Sequence, residues 1–249
     1  EFDVPQFQAG KRATILFDGA MSHANVYING QKVGYWPYGY NSFHFDITKY
    51  LKPGEKNTLA VRLENLPESS RWYPGAGLYR NVHLIITEDA YIPVWGTYIT
   101  TPSVNEKFAK VNVRTKVVLP EGADPAKYSV ETSVWNPNKQ KLTAVRTSLA
   151  QMKYNNDLAE QEFVIQDPSL WSPEMPALYS AETRLYEGDK LKDTYTTPFG
   201  IRSIEIIPDK GFFLNGKRTV FKGVCNHHDL GPLGAAVNDA AIRRQIRIL

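Results

Sequence analysis

Four consecutive residues late in the chain, Asn226-His227-His228-Asp229, set an amide, two imidazoles and a carboxylate side by side. Such groups exchange hydrogen bonds with the hydroxyls of a polar ligand, and histidine can also move a proton near neutral pH. Adjacent side chains on extended backbone point to opposite sides, so His227 and His228 do not converge on one metal ion. The four-residue helical spacing of zinc-binding histidines is absent as well. One of the two histidines is therefore read as a hydrogen-bonding contact to a substrate hydroxyl. A second candidate is the loop Glu68–Arg80, rich in aromatics, arginine and glycine. Arg71 or Trp72 could wall a binding cleft there, although the same aromatics suit a structural loop pinned against a neighbour. Cys225 closes an apolar run and is expected to be a buried small residue, since a reactive thiol needs an exposed, electropositive setting. No Gly-x-Ser-x-Gly elbow, phosphate-binding glycine loop or paired-cysteine metal motif occurs, and the carboxylates are scattered over turns.

The histidine pair needs a strand to carry it. Thr219–Cys225 is rich in β-branched and aromatic residues and is expected to be that strand. Gly231-Pro232 and Gly234 then break the chain, and Asn238 with Asp239 reads as the start of a helix. Ile242, Ile246 and Leu249 fall on one stripe of that helix. Strand, polar loop and helix make the βα unit of an α/β barrel, whose function sits at the C-terminal ends of its strands. A single such unit cannot bury its own apolar stripe, so residues after about 220 are expected to be mobile or packed on another surface.

The preceding chain reads as β throughout. Residues 1–88 give about six strands, Arg12–Asp18, an Asn29-Gly30 hairpin, Phe43–Ile47, Thr58–Leu63 and Val82–Thr87 among them. Frequent turns imply a sandwich or a jelly roll, and the shortfall from eight strands suggests that strands precede Glu1. Residues 89–202 give about seven strands between proline-rich turns, opened by Val94–Thr100, which is the immunoglobulin-like pattern. Residues 203–249 hold a second hairpin, at Asn215-Gly216, and the βα unit. The expected class is mainly β: a jelly-roll-like sandwich, an immunoglobulin-like sandwich, then the opening of a (β/α)8 barrel.

Composition narrows the partners. With 249 residues, 42% hydrophobic and 22% charged, the chain has material for proper cores. A net charge of +3 without a basic run excludes a nucleic-acid surface. One cysteine excludes an intrachain disulfide, and no apolar run has the length of a membrane span. Cytoplasmic, periplasmic and secreted settings all stay open. The 14 tyrosines and 5 tryptophans suit sandwich cores first and sugar-stacking surfaces second.

In order along the chain, Val26-Tyr27-Ile28-Asn29-Gly30, Asp46-Ile47-Thr48, Arg71-Trp72-Tyr73-Pro74-Gly75-Ala76-Gly77-Leu78-Tyr79-Arg80, Phe199-Gly200-Ile201-Arg202 and Lys222–Asp229 resemble motifs of glycoside hydrolase family 2. This family contains β-galactosidases, β-glucuronidases and β-mannosidases. The resemblance implies a retaining glycosidase whose two glutamates, about 5 Å apart, lie on later barrel strands beyond Leu249, so neither catalytic role falls in these residues. It implies substrate contacts from Asn226, His227, His228, Asp229, Arg71 and Trp72, with His227 matching the family histidine that touches the sugar. Where the best-known galactosidases carry Asn-Arg before that histidine, this chain has Cys225-Asn226. Where many carry aspartate before the loop tryptophan, it has Ser70-Arg71, which puts a sugar or monovalent-cation ligand at that position in doubt. No cofactor is expected in these residues, and at most a cation in a full-length enzyme. A carbohydrate substrate is implied, and a homo-oligomer stays open. A β-galactosidase is the leading expectation. A β-glucuronidase, a β-mannosidase and a non-catalytic carbohydrate-binding module are the alternatives.

Overall fold

The computed structural model describes residues 1–6, 10–69, 75–150, 158–225, 227 and 229–249. These form two compact units, Glu1–Ile86 together with Val224–Leu249, and Thr87–Gly223.

The first unit holds β1 (Phe2–Asp3), β2 (Arg12–Phe17), β3 (Ala24–Ile28), β4 (Gln31–Trp36), β5 (Phe43–Asp46), β6 (Lys56–Asn57), β7 (Leu59–Arg62) and β8 (Val82–Thr87). They assemble as β5-β2-β8, β4-β3-β7 and the short pair β1-β6. Strict alternation in β2 and β3 sends Ala13, Ile15, Phe17, Ala24, Val26 and Ile28 into one core. Phe17 stacks on Phe43 at 4.8 Å between ring centres, and Trp36 continues the stack at 5.6 Å. Asn29 and Gly30 take φ of +50° and +79°, as a type I′ hairpin turn requires. The Asn29 amide also joins the turn to β6, donating to Tyr50 O and Asn57 Oδ1 and accepting from Thr58 N–H. β1 and β6 exceed the six strands expected, because two-residue strands leave no periodicity to read.

The second unit carries β9 (Thr97–Val104), β10 (Phe108–Lys116), β11 (Tyr128–Trp135), β12 (Lys141–Ser148), β13 (Leu158–Gln166), β14 (Tyr179–Glu187) and β15 (Lys190–Phe199). Sheets β13-β10-β9 and β12-β11-β14-β15 form a seven-stranded immunoglobulin-like sandwich. Gln161 on β13 joins the two sheets. Its side-chain N–H groups reach Val130 O (3.3 Å), Val145 O (3.2 Å) and Thr147 Oγ1 (3.4 Å) on β11 and β12. The opening strand begins at Thr97, not Val94, because Val94 and Trp95 turn: Trp95 has φ +56° and Gly96 N–H donates to Pro93 O. β16 (Ile204–Ile207), β17 (Gly211–Leu214) and β18 (Lys217–Arg218) add a small antiparallel sheet, with Asn215-Gly216 again at positive φ.

After β18 the expected strand Thr219–Cys225 is not formed. It is tied to the sheet by Thr219 N–H to Phe212 O, at 2.9 Å, and by the Phe221 ring on Phe212, 4.7 Å between centres, without a ladder of backbone pairs. A barrel strand takes its ladder and its burial from neighbours on both sides, and no strand among the described residues lies beside this one. Val220, Phe221 and Val224 are therefore exposed, and so is Cys225, against the expected burial. The helix follows as α1 (Asp239–Ile248), capped by Asn238 Oδ1 accepting from Ala241 N–H at 3.1 Å. Ile246 and Leu249 on its apolar stripe stay exposed. Two sandwiches followed by an extended segment and a helix give a mainly β chain in the order that leads into a (β/α)8 barrel.

Candidate functional site

Within the first unit the end of the aromatic loop meets the stretch that follows the second candidate segment. The tail of the aromatic loop is fixed first. Gly77 and Met21 exchange backbone hydrogen bonds of 3.0 and 3.2 Å. The Tyr79 ring is buried and lies against Gly19, where a Cβ would come within 2.8 Å of its Cζ and Oη. Its hydroxyl donates to Gly39 O at 2.7 Å. Burial, only partly offset by Arg80, pushes this phenol above its ordinary pKa, so it stays a donor. Arg80 lies 5.0 Å over the ring and donates to Asp18 O. That carbonyl also accepts from Ser42 Oγ, and the Asp18 carboxylate meets His83 Nε2 at 3.0 Å.

The segment after His227 docks on this base. Val237 N–H donates to Tyr79 O at 2.9 Å. Gly75 leaves no room for a side chain beside Ala235, whose Cβ would be 2.5 Å away. Between His227 and Ala235 the chain turns tightly. Asp229 Oδ1 accepts from Gly231 N–H at 2.8 Å, and Leu230 and Gly234 close the turn through Leu230 N–H to Gly234 O. Gly234, at φ +61° and ψ −140°, occupies a region open essentially to glycine alone.

The proposed contact residues divide accordingly. His227 is exposed, on the extended stretch ahead of the turn. Asp229 is half-buried, with one carboxylate oxygen committed to shaping the turn. Arg71, Trp72, Asn226 and His228 lie outside the described residues. Among the described residues no group of three or more His, Cys, Asp or Glu could hold a metal ion. No helix among them is long and apolar enough to cross a membrane. Sequence reasoning missed Tyr79 as the residue joining the two segments. Its signals, Gly19 and Gly39, are far from it in sequence and unremarkable until the fold closes.

Residues 1–88 match the model of the sugar binding domain of glycosyl hydrolases family 2, and residues 91–202 match a second model of the same family. The chain belongs to glycosyl hydrolase family 2. Among its relatives is β-galactosidase BoGH2A of Bacteroides ovatus, 42% identical over 249 residues, covering all of this chain and 29% of the relative. A β-glucuronidase of Bacteroides fragilis is 34% identical, over 96% of this chain and 36% of that protein. A crystal structure of a glycosyl hydrolase family 2 member from Bacteroides cellulosilyticus superposes with a TM-score of 0.89 at 34% identity, covering 99% of this chain and 32% of the other. This family-2 chain thus spans about a quarter to a little over a third of the curated relatives it matches.

Proposed function

We propose that this chain is the leading part of a retaining β-glycosidase that removes a terminal β-linked sugar, with a β-galactoside as the preferred substrate. The observation that carries the reading is the 42% identity to a β-galactosidase over all 249 residues. In this reading the domains run 1–88, 89–202 and 203–249. His227 donates or accepts a hydrogen bond at a sugar hydroxyl, and Asn226, His228 and Asp229 line the same wall. Arg71 and Trp72, from the loop of residues 68–80, are the further sugar contacts in this reading. The coupling of Gly75–Tyr79 to Ala235–Val237 supports this pairing, because it holds the two segments in one rigid frame. The acid/base and nucleophilic glutamates, about 5 Å apart in a retaining enzyme, belong to later barrel strands.

The test uses a protein that carries these residues ahead of a complete barrel. It should hydrolyse a nitrophenyl β-galactoside with retained anomeric configuration, and the 249-residue chain alone should not. His227→Ala should lower kcat/KM about 10–100-fold, the worth of one well-placed hydrogen bond in a closed site. An unchanged kcat/KM would remove His227 from the site. A β-glucuronidase is the second reading, favoured by the 34% identity to such an enzyme. Faster turnover of the matching glucuronide would select it.

A further inference from the structure

The outward face of the β4-β3-β7 sheet carries a second set of recognition groups, none of which serves the site above. Ala24, Val26 and Ile28 of β3 are fully buried, so Asn25 and Tyr27 point outward. The register sets Asn25 between Tyr35 of β4 and Arg62 of β7. Tyr35 is 46% exposed. His23 Nδ1 lies 2.7 Å from the Tyr35 hydroxyl, the ring centres are 6.2 Å apart and the ring planes differ by 29°. A hydrogen bond between ring edges at that separation sets the rings side by side, not face to face. The pair is one nearly flat platform, two rings wide.

The loop that presents His23 is held firmly. His23 N–H donates to Pro37 O at 3.1 Å, and its carbonyl accepts from Asn25 Nδ2 at 3.2 Å. Ser22 and Glu64 clasp each other through Glu64 N–H to Ser22 O and Ser22 Oγ to Glu64 O. His23 is kept at φ +50°, a conformation that is unfavourable for a non-glycine residue. The side chain so placed lies outside the buried core and meets the exposed Tyr35. Beside the platform Arg62 Nη2 meets Glu64 Oε1 at 2.7 Å, so this edge offers both donors and acceptors with no net charge.

A flat aromatic surface bordered by balanced donors and acceptors matches one ligand chemistry, a pyranose ring with an apolar face and a rim of hydroxyls. We infer that this face is a carbohydrate-binding subsite. A neutral sugar unit lies over Tyr35 and His23, and Asn25, Arg62 and Glu64 meet its hydroxyls. The Arg62 guanidinium is matched by Glu64, so it presents no unpaired charge to a uronate.

The 249-residue chain tests this directly by affinity electrophoresis in gels containing β-1,4-galactan, glucomannan or alginate. Retardation is expected in at least one neutral gel and not selectively in alginate. Tyr35→Ala should weaken it on the order of tenfold or more, about the worth of a lost ring contact and the packing beside it. Tyr35→Phe, which keeps the ring but drops the bond to His23, should fall between the two. Asn25→Ala is the second variant, with circular dichroism confirming that each protein is folded. No retardation in either neutral gel, retardation in alginate alone, or folded Tyr35→Ala and Asn25→Ala proteins that bind as the parent does would each overturn the inference. Because the assay reads binding and not turnover, its outcome is separate from that of the activity test.

Discussion

Replacing Tyr79 by alanine is expected to cost the first unit about 3–5 kcal/mol, the usual toll of emptying a large buried aromatic site. It is also expected to release the segment that follows His227. The ring is 4% exposed and sits on Gly19 with no space between them, while its hydroxyl holds Gly39 O. The neighbouring backbone cannot collapse into the gap without breaking the Met21–Gly77 pairing. The carbonyl that accepts from Val237 N–H would survive the substitution, but the loop that presents it would not stay in place. Urea denaturation should report the loss of stability, and hydrogen exchange should rise across residues 235–249. Tyr79→Phe separates the two effects. It leaves the Gly39 carbonyl without this donor, at about 1–2 kcal/mol, but keeps the ring and should leave exchange at Val237 nearly unchanged. Full loss of stability in Tyr79→Ala with no change in exchange at 235–249 would show that Tyr79 does not hold that segment.

What could be read from residues alone followed the strength of each local signal. Asn29-Gly30 and Asn215-Gly216 announced both hairpins, since few residue pairs accept two positive φ values in succession. Val82–Thr87 runs between the bounds that composition and alternation suggested. Asn238 caps α1 as its amide and the following Asp239 implied. Thr219–Cys225 was misread for the same physical reason that made it look certain. Its apolar, β-branched composition speaks of a place in a sheet, but a strand exists only with neighbours to bond, and no sequence window contains them. Cys225 went wrong with it, as its expected burial depended on that strand. The candidate segments, Glu68–Arg80 and Asn226–Asp229, stand out by residue type and not by geometry. The parts that join them, the Gly19 floor, the Gly39 carbonyl and the Val237 amide, have no motif, because their role is backbone shape.

In the second unit, Lys192→Met is expected to cost about 2 kcal/mol at neutral pH, and the deficit should shrink in acid. The Lys192 side chain is only 7% exposed, and its ammonium lies 2.8 Å from Asp89 Oδ1 and 3.6 Å from Glu187 Oε2. Breaking a fully buried pair costs about 3–5 kcal/mol. Here the carboxylates are 41% and 42% exposed, and water screens what is left behind, hence the smaller figure. The hydrogen bond from Lys192 is the largest cause holding the Asp89 carboxyl below its usual 3.8, and the same bond raises Lys192 above 10.5. The lowered Asp89 contributes stability that is present above pH 3.8 and lost as pH falls through its folded value. The raised Lys192 contributes stability that is present below pH 10.5 and lost as pH rises through its folded value. The gap between the parent and Lys192→Met should therefore be full in the neutral range and narrow on either side. Asp193, next in the chain, behaves oppositely. Burial raises its carboxyl, although Ile92 and Thr194 N–H groups both donate to it, so its contribution fades as pH rises. Both proteins share that term, and it cancels in the comparison. Urea midpoints for the two proteins at pH 7 and pH 3 decide the matter. A deficit of equal size at both would mean that Lys192 acts through the packing of its methylene stem, with its charge contributing nothing.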